Sequence, residues 1–194
     1  MILVALGALV ALLMAVLAAS SLPGAGPETA SAATRGTDCP HGGSTRDEAT
    51  RRQIRRAVTC LINRRRDNRG SDPLQPKATL RNTSQEHAQL MVDEDCFEHR
   101  CPGEDGLAKR IRDSGYLRGA ENWRYAESLG CAQTPRAMVH LWLQERFDRR
   151  NILGRGYEDI GLGVVKGAPR TAARACRPAN DFVTFTLLVA RRRP

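Results

Sequence analysis

Apolar residues recur along this chain in two rhythms. Through its middle they return every three or four positions, the spacing of amphipathic helices; near its end they alternate, the spacing of strands. Ile54, Val58, Leu61 and Ile62 form the first stripe. Thr45 followed by Glu48 resembles a capping box, so a helix is expected from Ser44 or Thr45 to about Gly70. Pro73 and Pro76 predict an extended connection. A second stripe of Leu80, Ser84, His87, Ala88 and Met91 predicts a helix over 79–95. Asp105 is expected to cap a short helix carrying Leu107 and Ile111 and ended by Gly115. Residues 121–128 have no strong period and are compatible with a strand. Thr134 then Pro135 is a helix start, and the stripe that follows is Met138, Leu141, Trp142 and Glu145. Residues 160–165 read as a strand. In the last strand Val183, Phe185, Leu187 and Val189 share one face and Thr184 and Thr186 the other, the pattern of a half-buried strand. The two are expected to pair antiparallel. Helices first and strands late predict an α+β fold, helices packed on a small antiparallel sheet.

The beginning of the chain has neither rhythm. Residues 2–19 are almost wholly apolar, and Ala30-Ser31-Ala32 offers an A-x-A cleavage site. This predicts a secretory signal peptide over 1–32, with an uncleaved membrane anchor as the alternative. Residues 33–43 then read as a linker and 44–194 as one domain, large enough for its own core. All six cysteines (Cys39, Cys60, Cys96, Cys101, Cys131, Cys176) follow the cleavage site, an even number suited to three disulfides in an exported protein. No C-x-x-C pair occurs, which disfavours a zinc ribbon or a thioredoxin-type site.

The formal net charge is +9, and Arg supplies 27 of the 30 basic residues. No nucleic-acid recognition motif accompanies the Arg runs, and few aromatic residues interleave with them, so nucleic acid is not expected as a partner. Most of these arginines are expected on solvated helix faces. A softer expectation is attraction to anionic cell-wall polymers or lipid head groups.

Four side chains stand out as candidates for chemistry: His99 in F-E-H, Glu121 in A-E-N, and Glu145 and Asp148 in W-L-Q-E-R-F-D-R-R-N-I-L. Glu145 falls on a stripe expected to be buried, where a carboxylate is costly unless its charge is compensated. Plainer roles stay open for each: a loop histidine, a brace, or a carboxylate paired with Arg149 or Arg150. His87, on a helix stripe, is expected to be a satisfied core histidine.

In chain order, C-L-I-N-R-R-R-D-N-R-G-S-D-P-L, S-Q-E-H-A-Q-L-M, D-C-F-E-H, R-I-R-D-S-G-Y, A-E-N, the tryptophan segment ending in R-N-I-L, and G-Y-E-D-I-G-L-G-V-V resemble the CAP superfamily: cysteine-rich secretory proteins, antigen 5 and plant pathogenesis-related proteins, here most like the bacterial secreted branch. The resemblance implies an α-β-α sandwich with a surface cleft lined by two histidines and two glutamates that can hold a divalent metal. Carried over, His99, Glu121 and Glu145 take three of those places. Asp148 stands where the family has its second histidine, and Phe147 where it has glycine. One imidazole among three carboxylates suits zinc poorly and Mg²⁺, Ca²⁺ or Mn²⁺ better, so only weak zinc binding is expected. A Cys96–Cys101 bridge would hold His99 in place, leaving Cys39 with Cys60 and Cys131 with Cys176; six cysteines allow 15 connectivities, and the others stay open. The resemblance also implies binding of lipid, sterol, cell wall or another extracellular ligand, by a monomer or weak dimer that is more a binding module than an enzyme. A metal-assisted hydrolase and a structural domain with a degenerate cleft are the alternatives.

Overall fold

The structure, a computed structural model, describes residues 39–172, 176 and 181–194. The expected signal peptide and the first part of the linker lie outside the described residues. Five α-helices, α1 (Arg51–Asp67), α2 (Ala78–Asp93), α3 (Leu107–Asp113), α4 (Pro135–Gln144) and α5 (Arg146–Leu153), surround four strands, β1 (Gln75–Pro76), β2 (Asn122–Ala132), β3 (Asp159–Lys166) and β4 (Val183–Arg193). The sheet order is β1-β3-β4-β2. β4 pairs antiparallel with both β3 and β2, as expected for β3, while the two-residue β1 runs parallel to β3, so the sheet is mixed.

Sequence and structure differ at two instructive places. α1 starts six residues after Thr45, because Thr50 and Gln53 form the capping box; Thr45 and Glu48 close only a preceding turn, the Thr45 N–H donating to Glu48 at 2.8 Å. The last strand is buried on both faces, not one. Its Phe185, Leu187 and Val189 pack with Ile54, Val58 and Ile62 of α1 and Trp142 of α4. Its alternate residues Leu188 and Ala190 pack with Leu80 of α2 and Ile111 of α3, and Thr184 and Thr186 are fully buried between them. The helices therefore form two layers, α1, α4 and α5 on one face and α2 and α3 on the other, and the fold is an α-β-α sandwich.

α2 lies unusually close to the sheet. A Cβ on Gly161 would overlap the backbone of Leu80, and one on Gly163 the backbone of Ser84. Glycine is required at both, because only a residue without a side chain lets helix and strand backbones touch.

All three disulfides match the pairs given above: Cys39–Cys60, Cys96–Cys101 and Cys131–Cys176. Arg66 departs from the solvated role expected of the arginines. It is 1% exposed and donates to the carbonyls of Asp72, Ile152, Gly154 and Tyr157 at 2.7–3.2 Å. Three of those bonds join the end of α1 to the last turn of α5 and the loop after it, and the fourth holds the connection that follows α1, all without a carboxylate.

Candidate functional site

The loop after α2 carries His99 and is fastened at two points. The Cys96–Cys101 bridge closes it. Glu104 welds it to α2, one carboxylate oxygen accepting from the Cys101 N–H at 3.1 Å and the other meeting Nδ1 of buried His87 at 2.8 Å. Held this way, His99 places Nδ1 2.8 Å from a carboxylate oxygen of Glu127, on β2. An ionised carboxylate only accepts, so Nδ1 carries the hydrogen and Nε2 is left for the outside. The imidazole side chain is 66% exposed while that of Glu127 is 1% exposed.

A buried carboxylate needs a cation or several donors. Arg110, in the last turn of α3, supplies the cation. Its Nη2 donates to Glu127 at 3.2 Å and to the His99 carbonyl at 2.9 Å, and its Nε lies 3.4 Å from Glu104. Nε2 of His87 lies 3.9 Å from Glu127. Two carboxylates, one guanidinium and two imidazoles thus form a single network across α2, the loop, α3 and β2. Asn151 of the R-N-I-L segment approaches the Glu127 carbonyl and the Ser128 hydroxyl at 3.5 and 3.4 Å, and the Trp142 indole donates to the Leu129 carbonyl at 2.8 Å. These contacts brace the stretch of β2 that carries Glu127.

Of the four residues singled out from the sequence, His99 and Asp148 are near enough for each charge to act on the other, but no ion pair within 4.0 Å joins them. The hydrogen bond to Glu127 holds the His99 imidazole above its usual pKa, outweighing partial desolvation, and the charges of Glu127 and Asp148 add to the rise. Asp148, half-buried on α5, is also raised: burial is the main cause, the nearby Glu145 charge adds to it, and the Ser128 hydroxyl and His99 oppose it. Glu145 does not continue a buried helical stripe. It is exposed, with extended backbone, at the break between α4 and α5. Its neighbour on the expected stripe, Leu141, is 42% exposed. Glu121 is exposed just before β2, its N–H bonded to the Arg193 carbonyl. It sits six residues before Glu127, roughly 20 Å along the strand. The carboxylate that meets His99 is the Glu of A-E-S, not the Glu of A-E-N. His87 is buried as expected, 1% exposed, but only half satisfied: Nδ1 meets Glu104, while Nε2 has no hydrogen-bond partner among the described residues. Glu104 and Arg110 carry no sequence signal, since their partners lie 17 residues away across a loop.

These residues do not fit a divalent metal. Among the described residues no three His, Cys, Asp or Glu side chains are arranged to hold one. Where carboxylates and imidazoles do gather, both Nδ1 atoms are engaged by carboxylates, and the guanidinium of Arg110 occupies the cation's place.

The sequence profile of the cysteine-rich secretory protein family, CAP, matches residues 60–186. The chain belongs to this family. A curated relative, the uncharacterized protein YkwD of Bacillus subtilis, is 29% identical over 111 residues, 56% of this chain. The chain spans about two fifths of that relative's length, 41%. An outer surface protein from Borrelia burgdorferi superposes with a TM-score of 0.58 at 16% identity, over 73% of this chain and 94% of that one. An extracellular protein of Bacillus anthracis containing an SCP domain gives 0.54 at 16% identity, over 74% of this chain and 44% of that one. At that identity both likenesses speak for the CAP fold alone. Phe147, at the position where the family has glycine, is 68% exposed, with the guanidinium carbons of Arg146 and Arg150 5.6 and 5.4 Å from its ring centre.

Proposed function

We propose that this CAP domain is exported and acts as a binding module for a hydrogen-bonding extracellular ligand, such as cell-wall glycan or peptide, at the surface formed by His99 and Asp148. The observation that carries this reading is the His99–Glu127 contact. A buried carboxylate, itself neutralised by Arg110, holds an exposed imidazole in one orientation with Nε2 outward. Such a group recognises a ligand without rearranging, which keeps the cost of ordering low. Three disulfides suit an oxidising compartment. Among the described residues no helix is long and apolar enough to cross a membrane. Export through a leader ending at Ala32 predicts a mature N-terminus at Ala33, which mass spectrometry of the culture medium reads directly; an intact 1–32 segment on a membrane-bound product would show the anchor instead.

The same contact favours a second reading. A buried carboxylate on Nδ1 is how hydrolases orient a histidine that moves protons. Sedimentation with purified peptidoglycan separates the two. Binding that falls about tenfold in His99→Ala, with no soluble fragments released, supports the module. Fragment release that Glu127→Gln abolishes supports the hydrolase. Wall binding by the wild type that His99→Ala leaves intact defeats the site.

A further inference from the structure

Cations with little acid to answer them gather at two places. One is a groove between α1, the start of α2 and β3, lined by Arg52, Arg55, Arg56, Lys77 and Arg81. Its base, Ile160 and Leu162, is 2% and 3% exposed and belongs to the core. The other place, on α5, adds an exposed aromatic ring to the charge.

Arg146, Arg149, Arg150 and Leu153 recur at the spacing of one helical face. With Arg69 and Gly154 they line a hollow of about 370 Å³, within the range of small-molecule sites, roughly 300–1,000 Å³. No carboxylate lines it. Among the described residues none of these four arginines has an acidic partner within 4.0 Å. Glu145 precedes the helix, and Asp148 lies half-buried on another side of it, by the Ser128 hydroxyl. Phe147 stands on the shoulder between the arginine stripe and the side that carries Asp148. It is 68% exposed, with Arg146 and Arg150 beside its ring at 5.6 and 5.4 Å. An open apolar ring and several fork-shaped donors thus share one small patch.

We propose that this patch binds an acidic saccharide, a chain of uronic acids, with one sugar ring laid on Phe147 and carboxylates held by Arg146, Arg149 and Arg150. A sugar ring has an apolar C–H face that packs on an aromatic ring, and a carboxylate accepts paired N–H donors from a guanidinium. Arg146 and Arg150 are one turn apart, about 6 Å along the helix, comparable with the repeat of acids on successive sugar units. A small inorganic anion would leave the ring unused. A neutral sugar would leave the guanidiniums facing one another. An acidic protein surface would need an apolar core to dock against, and among the described residues the only exposed large apolar side chains of α4 and α5 are Leu141 and Phe147. The patch adjoins the His99–Asp148 surface and does not depend on it.

Calorimetric titration of the purified protein at low ionic strength with trigalacturonate, maltotriose and triglutamate tests this. Trigalacturonate should bind saturably and at least roughly tenfold more tightly than either of the others. Phe147→Ala should weaken it about tenfold while leaving the melting temperature unchanged, since the side chain is exposed. Arg146→Gln with Arg150→Gln should lower its affinity to that of maltotriose. His99→Ala should leave trigalacturonate binding unchanged, which separates this site from the wall-binding surface. Equal affinity for triglutamate would make the patch a docking face for acidic protein. That result, equal affinity for maltotriose, no saturable binding of trigalacturonate, or binding that survives either the Phe147 or the double arginine substitution would each overturn the proposal.

Discussion

The protein treats its charges oppositely in two regions. Around Glu127, each buried carboxylate has a cation or donor, and the arginine among them is nearly enclosed, its side chain 10% exposed. Around Arg56, four guanidiniums crowd a groove in which only Lys77 meets an acid, Asp159 at 3.5 Å. The first region gains order from its own residues, since every charge there fixes another. The second stays stable only because its guanidiniums reach water, and it has capacity left for an outside anion. A charge cluster answered from within builds structure, whereas an unanswered one at the surface is where a partner is to be sought.

The contrast is sharpest under substitution. Glu127→Ala would leave Arg110 buried without its closest carboxylate, which costs about 3–5 kcal/mol; urea unfolding should show that loss, and one below about 1 kcal/mol would mean the network is slack. Opening the Cys96–Cys101 loop by Cys96→Ser with Cys101→Ser should cost about 2 kcal/mol, the value for a short ring. It should also broaden the His99 resonances in an NMR spectrum; unchanged resonances would show that Glu104 alone holds the loop. Acidity gives a finer probe. His99 has a folded pKa above its unfolded value of about 6.5, so its contribution is fully present below that pH and is lost as pH rises through the folded pKa. The stability gap between the wild type and His99→Ala should therefore be wider near about pH 5.5 than near about pH 9, and a gap independent of pH would break the link to Glu127. At the other region Arg56→Ala should change stability by less than about 0.5 kcal/mol, as exposed substitutions do; a large loss there would mean the groove is structural after all.

Much of this arrangement was legible in the residues. The stripes of α1 and α2, the Thr134-Pro135 start of α4 and the alternation of β4 each follow from local spacing. His99, which meets buried Glu127, could be found because a recognisable segment carries it. Glu127 was harder, since A-E-N and A-E-S lie six residues apart and both begin with Ala-Glu. The available signal was burial: Glu127 sits inside the run Tyr125 to Ala132, where a strand interior demands a partner for a carboxylate, whereas Glu121 precedes that run. Glu145 misled for a related reason. Helical periodicity extended through it, yet the backbone breaks there, and the period says nothing about where a helix ends. The second buried face of β4 carries no local signal, because Thr184 and Thr186 have the polarity of solvent-facing residues and yet are fully buried.

Bare backbone meets bare backbone where α2 crosses Gly161 and Gly163. With no side chains between them to flex, that seam cannot take up a shift by changing rotamers. The helix bearing His87 is thus mounted on the sheet like a blade on a rail, and the imidazole at the surface inherits that fixity. Free and occupied forms should superimpose closely, and selectivity would then come from the visitor's shape and not from any yielding of its host.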